Sequence, residues 1–174
     1  MKKILFSLLI LVLNVNIITA QKADSILNKA VMLIDKGELV EAENTIKKAI
    51  SEGIDTLPIH YELAWIYYIE KDYKNAIKTL EPLCDRKDVT PDIYQLLGNA
   101  YDEKGQFNNA ITIYDKGLKK FPGAGCLYLE KGNISYKSNR YEDAFFYYEK
   151  GIEIEPEYAS NYYRASLLFF ASTE

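Results

Sequence analysis

The sequence predicts an all-α fold, a solenoid of antiparallel helix pairs with about four repeats and an unfinished fifth. Three observations carry this. Alanine recurs as Ala42, Ala76, Ala110 and Ala144, each 34 residues from the next. Twelve residues before each stands another small residue: Ala30, Ala64, Gly98 and Gly132. Around these columns apolar residues fall at three- and four-residue spacing, interrupted by glycine and proline.

From the N-terminus, Met1-Lys2-Lys3 is a short basic start, and Ile4 to Leu13 is apolar apart from Ser7. A run of about ten residues is too short for the roughly 30 Å hydrocarbon core, which disfavours a membrane helix. Ile18-Thr19-Ala20 ahead of Gln21 supplies a cleavage pattern with a small last residue. Residues 1–20 therefore read as a cleavable signal peptide and 21–174 as the repeat domain. No cysteine follows the site, so the lipoprotein form of the signal is absent. The expected location is outside the cytoplasm, periplasmic or secreted, with a bacterial envelope preferred. Loss of Lys2 and Lys3 leaves 19 basic against 25 acidic residues.

The period divides the domain into units of approximately 23–56, 57–90, 91–124 and 125–158, with a partial unit at 159–174. Each unit reads as two helices. In the third, Ile93, Leu96, Leu97, Ala100 and Tyr101 make one apolar face. Gly105 interrupts it, and Phe107, Ala110, Ile111, Tyr114 and Leu118 begin the period again until Pro122 stops it. Leu39, Tyr73, Phe107 and Tyr141 form a large apolar column three residues before the alanines; Ile46, Leu80, Tyr114 and Tyr148 form another four residues after. The small residues let two helices approach, and the large ones fill the space around that contact. Thr56 with Pro58, and Thr90 with Pro91, offer a hydroxyl N-cap and a proline in the first turn. Pro82, inside a second helix, predicts a kink or an early end.

Ser160 to Phe170 starts another first helix, and the sequence stops before its partner. Leu167, Leu168, Phe169 and Phe170 then form an uncovered docking face, where a repeat array needs a polar cap. A further stretch of chain, a partner, or a second copy in a homodimer is expected to cover it; an imperfect cap on the fourth unit is the alternative.

Composition removes several function classes. A net charge of −4 spread through the chain offers no basic surface of the kind that holds nucleic acid. Cys84 and Cys126 fall on elements a whole repeat apart and are expected to stay unpaired. His60 is the one histidine, at an aromatic packing position, and no metal-ligand or nucleotide-binding motif occurs. Glu41 and Glu43 read as a solvated face, and the Asn133-Ile134-Ser135 triplet lies inside a helix. No catalytic constellation, metal or cofactor is expected, and the chain is read as no enzyme.

These residues resemble the tetratricopeptide repeat family. The third unit matches best, with Tyr94, Leu97, Gly98, Tyr101, Gly105, Phe107, Ala110, Tyr114, Leu118 and Pro122. The second carries Leu63, Ala64, Tyr67, Tyr73, Ala76 and Leu80, with Asp88 in place of the closing proline. The fourth carries Tyr128, Gly132, Tyr141, Ala144, Tyr148 and Pro156, but Lys131 and Ser135 replace a leucine and a tyrosine. The first departs most, with Ile54 where proline is usual.

The resemblance implies a right-handed superhelix that binds a protein or peptide on first-helix residues of its concave face. Those would be Tyr61, Trp65 and Tyr68, then Gln95, Asn99, Asp102 and Glu103, then Leu129, Asn133, Tyr136 and Lys137, with Leu27, Val31 and Ile34 continuing the surface. The aromatics suit peptide anchoring, because they bury much area with few rotatable bonds. Packing against a neighbouring helix is the equal alternative for Tyr61, Trp65 and Tyr68. Asn99 and Asn133 suit an extended backbone. Repeats that clamp a peptide's C-terminal carboxylate resemble one another in carrying lysine, asparagine and arginine on successive first helices. Asn99 and Arg164 fit two such positions, but Gln95, Glu130 and Ser160 occupy the rest, so that function is not implied. The leading function is an envelope adaptor. The alternatives are the N-terminal module of a larger envelope enzyme or sensor, and a self-associating structural protein.

Overall fold

A computed structural model describes the backbone of residues 2–157 and 162–165 and the side chains of residues 19–157 and 162–165. Its helices are α1 (Lys2–Asp35), α2 (Leu39–Ser51), α3 (Leu57–Ile69), α4 (Tyr73–Leu80), α5 (Pro91–Glu103), α6 (Phe107–Lys120), α7 (Gly125–Lys137) and α8 (Tyr141–Ile154). A 3₁₀ turn, Glu81–Asp85, follows α4, and residues 162–165 add a further helical turn. No strand occurs among the described residues. The fold is all-α and built of antiparallel helix pairs, as the 34-residue period predicts. It divides into two compact units, Met1–Lys71 and Asp72–Glu174.

Each first helix closes on one residue with left-handed backbone: Gly37, Lys71, Gly105 and Asn139, at φ 78°, 62°, 72° and 57°. Their spacing is the repeat period itself. The residue after the turn reaches back five positions in three of the four cases. Glu38 N–H donates to the Leu33 carbonyl, Gln106 to Tyr101 and Arg140 to Ser135, each at 2.9 Å. This closure satisfies carbonyls that the end of a helix leaves bare. Glycine meets the geometry without strain, whereas Lys71 carries its Cβ into a region that L-residues avoid.

Helix starts differ from the sequence reading. Thr56 and Thr90 take the extended backbone of an N-cap, but neither side chain bonds the helix. Proline in the first turn is what marks both starts. A side-chain cap appears instead at Asp72, whose Oδ1 accepts the Asn75 N–H at 3.2 Å. Pro82 acts as expected: α4 stops at Leu80 and the chain tightens into the 3₁₀ turn.

The N-terminal unit has one core, in which Ala23, Ala30, Leu33, Ala42, Ile46, Ala49, Ile54, Ile59, Leu63 and Ile66 meet. Leu27 and Ile34 pack against it, so they support the core rather than a binding face, while Val31 stays 36% exposed. In the C-terminal unit Tyr94, Tyr114 and Tyr148 are buried with Ile93, Leu97, Leu127 and Ile134. Burial of each such side chain contributes roughly 1.5–3 kcal/mol. Leu129, read as surface, is 7% exposed and packs with Ala144, Tyr148 and Ala165. The column preceding the alanines is mixed: Leu39 packs against the N-terminal core, whereas Phe107 and Tyr141 are 44% and 48% exposed. Leu167, Leu168, Phe169 and Phe170 lie outside the described residues.

Candidate partner-binding face

In the C-terminal unit, α5 and α7 pack side by side. Gln95, Asn99 and Asp102 stand on one stripe of α5, and Glu130, Asn133 and Lys137 on one stripe of α7, at the three- and four-residue steps that align a helix face. Two bonds tie the stripes together. Gln95 Nε2 donates to Glu130 Oε1 at 2.9 Å, and Lys137 Nζ to Asp102 Oδ2 at 2.5 Å. Within α7, Asn133 Nδ2 donates to Glu130 Oε2 at 2.9 Å, so both Glu130 oxygens are engaged.

The second helices support the same face from behind. Tyr114 OH donates to Asn99 Oδ1 at 2.6 Å, and one period later Tyr148 OH donates to Asn133 Oδ1 at 3.0 Å. Each tyrosine reaches its asparagine across a glycine. An added Cβ at Gly98 would lie 2.0 Å from Tyr114 Cε1, and one at Gly132 would lie 2.2 Å from Tyr148 Cε1. Burial pushes the Tyr148 hydroxyl up to about 12, which keeps it a neutral donor. The Asp102 side chain is only 11% exposed, and its Oδ1 is buried with no bond among the described residues. A carboxylate oxygen in that setting is the unspent acceptor of the stripe.

Of the sequence-predicted residues, Gln95, Asn99, Asp102, Asn133 and Lys137 join this network. Tyr136 does not: it is 46% exposed and its ring meets Tyr141 at 5.6 Å. Tyr61, Trp65 and Tyr68 belong to the N-terminal unit, on one stripe of α3. Trp65 stacks on Tyr68 with centroids 5.7 Å apart and planes 13° from parallel, and all three rings are half-buried. Sequence reasoning missed the roles of Glu130, Tyr114 and Tyr148. The Gly-Asn dipeptides at 98–99 and 132–133, each followed 15 residues after the asparagine by tyrosine, are the signal that was available.

His60, expected to pack, is half-buried and bonds Asp55 Oδ1 through Nε2 at 2.8 Å. Cys84 and Cys126 are free thiols. Burial raises both, Cys126 to about 11, which makes them poor nucleophiles. Among the described residues no group of three or more His, Cys, Asp or Glu is arranged to hold a metal ion.

Comparison with known proteins agrees with this geometry. The sequence profile of the tetratricopeptide repeat matches residues 57–86, 91–119 and 127–158, just over half of the chain. Small glutamine-rich tetratricopeptide repeat-containing protein 2 of Mycosarcoma maydis is 29% identical over 86 residues, covering 49% of this chain and 24% of that protein. Protein O-mannosyl-transferase TMTC1 of Homo sapiens is 23% identical over 132 residues, covering 74% of this chain and 15% of that protein. The chain thus spans about a quarter or less of the curated relatives it matches. Among solved structures, a thermophilic TPR protein of Thermus thermophilus aligns with TM-score 0.70 at 17% identity, over 86% of this chain and 82% of that one. MamA of Desulfovibrio magneticus aligns with TM-score 0.66 at 20% identity, over 78% and 77%. At these identities the structural likeness speaks to fold alone.

Proposed function

Because the chain belongs to the tetratricopeptide repeat family, whose members generally mediate protein–protein interactions, we propose that it is an exported adaptor that binds an extended segment of a protein partner. The observation that carries the reading is the doubled tyrosine–glycine–asparagine arrangement, which holds Asn99 and Asn133 in matching orientations one repeat apart. Side chains already fixed in the free protein lose little rotamer entropy on binding. Their spacing along α5 and α7 suits the carbonyls and N–H groups of a chain laid across both helices. The stacked Trp65–Tyr68 pair on α3 offers an aromatic anchor of the kind that dominates interface energetics.

Export rests on the basic start, the apolar run and the small residues ahead of Gln21. A bacterial envelope remains the compartment proposed. N-terminal sequencing of the exported protein should find Gln21 first; an intact Met1 on protein recovered outside the cytoplasm would remove the cleaved-signal reading.

Binding is tested by Asn99→Ala and Trp65→Ala. Each should leave the far-UV circular dichroism of the full chain unchanged and lose the partner that the wild-type protein captures. Full retention by the double variant would sink the assignment of these faces. A second reading, a repeat module of a longer protein, is favoured by relatives of which this chain spans a quarter or less.

A further inference from the structure

The last two turns of α6 carry Lys116, Lys119 and Lys120, whose three- and four-residue steps put them on one helix face. With Cys84 and Asp85 of the 3₁₀ turn and Tyr94 of α5 they line an open cleft of about 420 Å³. None of these residues belongs to the α5–α7 stripe. The floor is buried: Cys84 and Tyr94 are 4% and 1% exposed, and Tyr94 OH donates to the Cys84 carbonyl at 3.0 Å.

The lysines are held in place but far from saturated. Lys116 Nζ lies 3.2 Å from Asp85 Oδ1. Lys120 Nζ donates to the Arg86 carbonyl at 3.3 Å and stands 5.9 Å from the Phe121 ring centroid. An ammonium has three donors, so each of these keeps donors in reserve. Lys119 has no bond or ion pair among the described residues. Three cations therefore face one carboxylate over a low-dielectric floor, on a chain whose net charge is −4.

Lysine near a helix C-terminus is favoured by the helix dipole, which accounts for a cation at this end of α6. It does not account for the cluster. The last turn of α8, the equivalent helix one period later, holds no basic residue. Lys150 matches Lys116, but Glu153 and Ile154 stand at the places of Lys119 and Lys120, so the repeat architecture does not need those two lysines.

We infer that this cleft receives an acidic segment of a protein partner, with consecutive Asp or Glu carboxylates bonding Lys116, Lys119 and Lys120. An open cleft with cations spread along one wall suits a chain of carboxylates better than an enclosed small molecule.

The test is a titration of the isotope-labelled full chain with hexaglutamate, read by amide chemical shifts. Saturable shifts are expected in Cys84 to Arg86 and Lys116 to Phe121, weakening as salt rises from about 50 to 300 mM. Lys119→Glu with Lys120→Glu should weaken binding at least about tenfold, and Lys119→Ala should weaken it less, while Lys78→Glu on α4 leaves it intact. Unchanged circular dichroism excludes misfolding of the variants, and Lys119→Ala keeps the test decisive if the double reversal does not fold. No saturable shift, or equal binding by both cleft variants, overturns the proposal. So does inorganic phosphate that binds the same amides as tightly as hexaglutamate, which would mark a free-anion site. The same shifts on raising protein concentration alone overturn it in favour of a second copy as occupant. Asn99 and Trp65 take no part, so this test stands or falls apart from that of the adaptor faces.

Discussion

In the α1–α2 pair, fully buried Ala30, Ala42 and Ile46 meet in an aliphatic cluster, and the residue after Ala30 is the exposed Val31. The matching places in α5–α6 hold Gly98, Ala110 and Tyr114, and those in α7–α8 hold Gly132, Ala144 and Tyr148. There a ring lies against bare glycine backbone, and its hydroxyl passes through to Asn99 or Asn133. Both solutions fill the crossing of two helices with one small and one large residue. The aromatic version does something the aliphatic one cannot: it connects the packing of the second helix to the polar face of the first. The C-terminal unit thus orients a surface from its core, and the first pair of the N-terminal unit only packs.

The comparison is broken most sharply at Gly98. Gly98→Ala gains about 1 kcal/mol of helix propensity, but its Cβ meets the Tyr114 ring at 2.0 Å. Overpacking of that kind costs about 3 kcal/mol, so a net loss near 2 kcal/mol is expected in urea unfolding. Adding Tyr114→Ile should recover most of it by recreating the Ala30–Ile46 seam. A neutral single variant would show that the ring is not held against the helix. Next in size, Tyr114→Phe and Tyr148→Phe each leave an asparagine oxygen without its donor, at a cost of about 1 kcal/mol. Equal effects at both sites would establish that the two arrangements are interchangeable.

The smallest effect concerns half-buried carboxylates. In the C-terminal unit Glu130 has Gln95 and Asn133 as donors. In the N-terminal unit burial, then the nearby Asp35 charge, raises the Glu62 carboxyl above its ordinary value of 4.5. A raised acid favours folding while protonated. Its contribution is complete below 4.5 and declines as pH rises through the folded-state value. Glu62→Gln removes that decline, so its Tm should exceed that of wild type near pH 7 and the gain should vanish near about pH 4. A gain that persists in acid would point to packing instead of charge.

Much of this protein was legible before its structure. The 34-residue period placed the small residues that are buried at the helix crossings, and Pro82 announced the early end of α4. Such features are properties of spacing, residue volume and backbone freedom, which a linear sequence carries directly. The left-handed turn at Lys71, the exposure of Phe107 and Tyr141, and the burial of Leu129 were not readable in this way. They depend on how each helix is rotated against its neighbours. The functional surfaces depend on it still more. Glu130 gathers Gln95 from 35 residues away, and Cys84 shares a cleft with Lys116 from the next repeat. Sequence by itself determined which residues can approach closely, because that follows from their size and period. Only the tertiary structure decided which polar side chains face one another, because that follows from helix orientation and rotamer, and neither is written along a single helix.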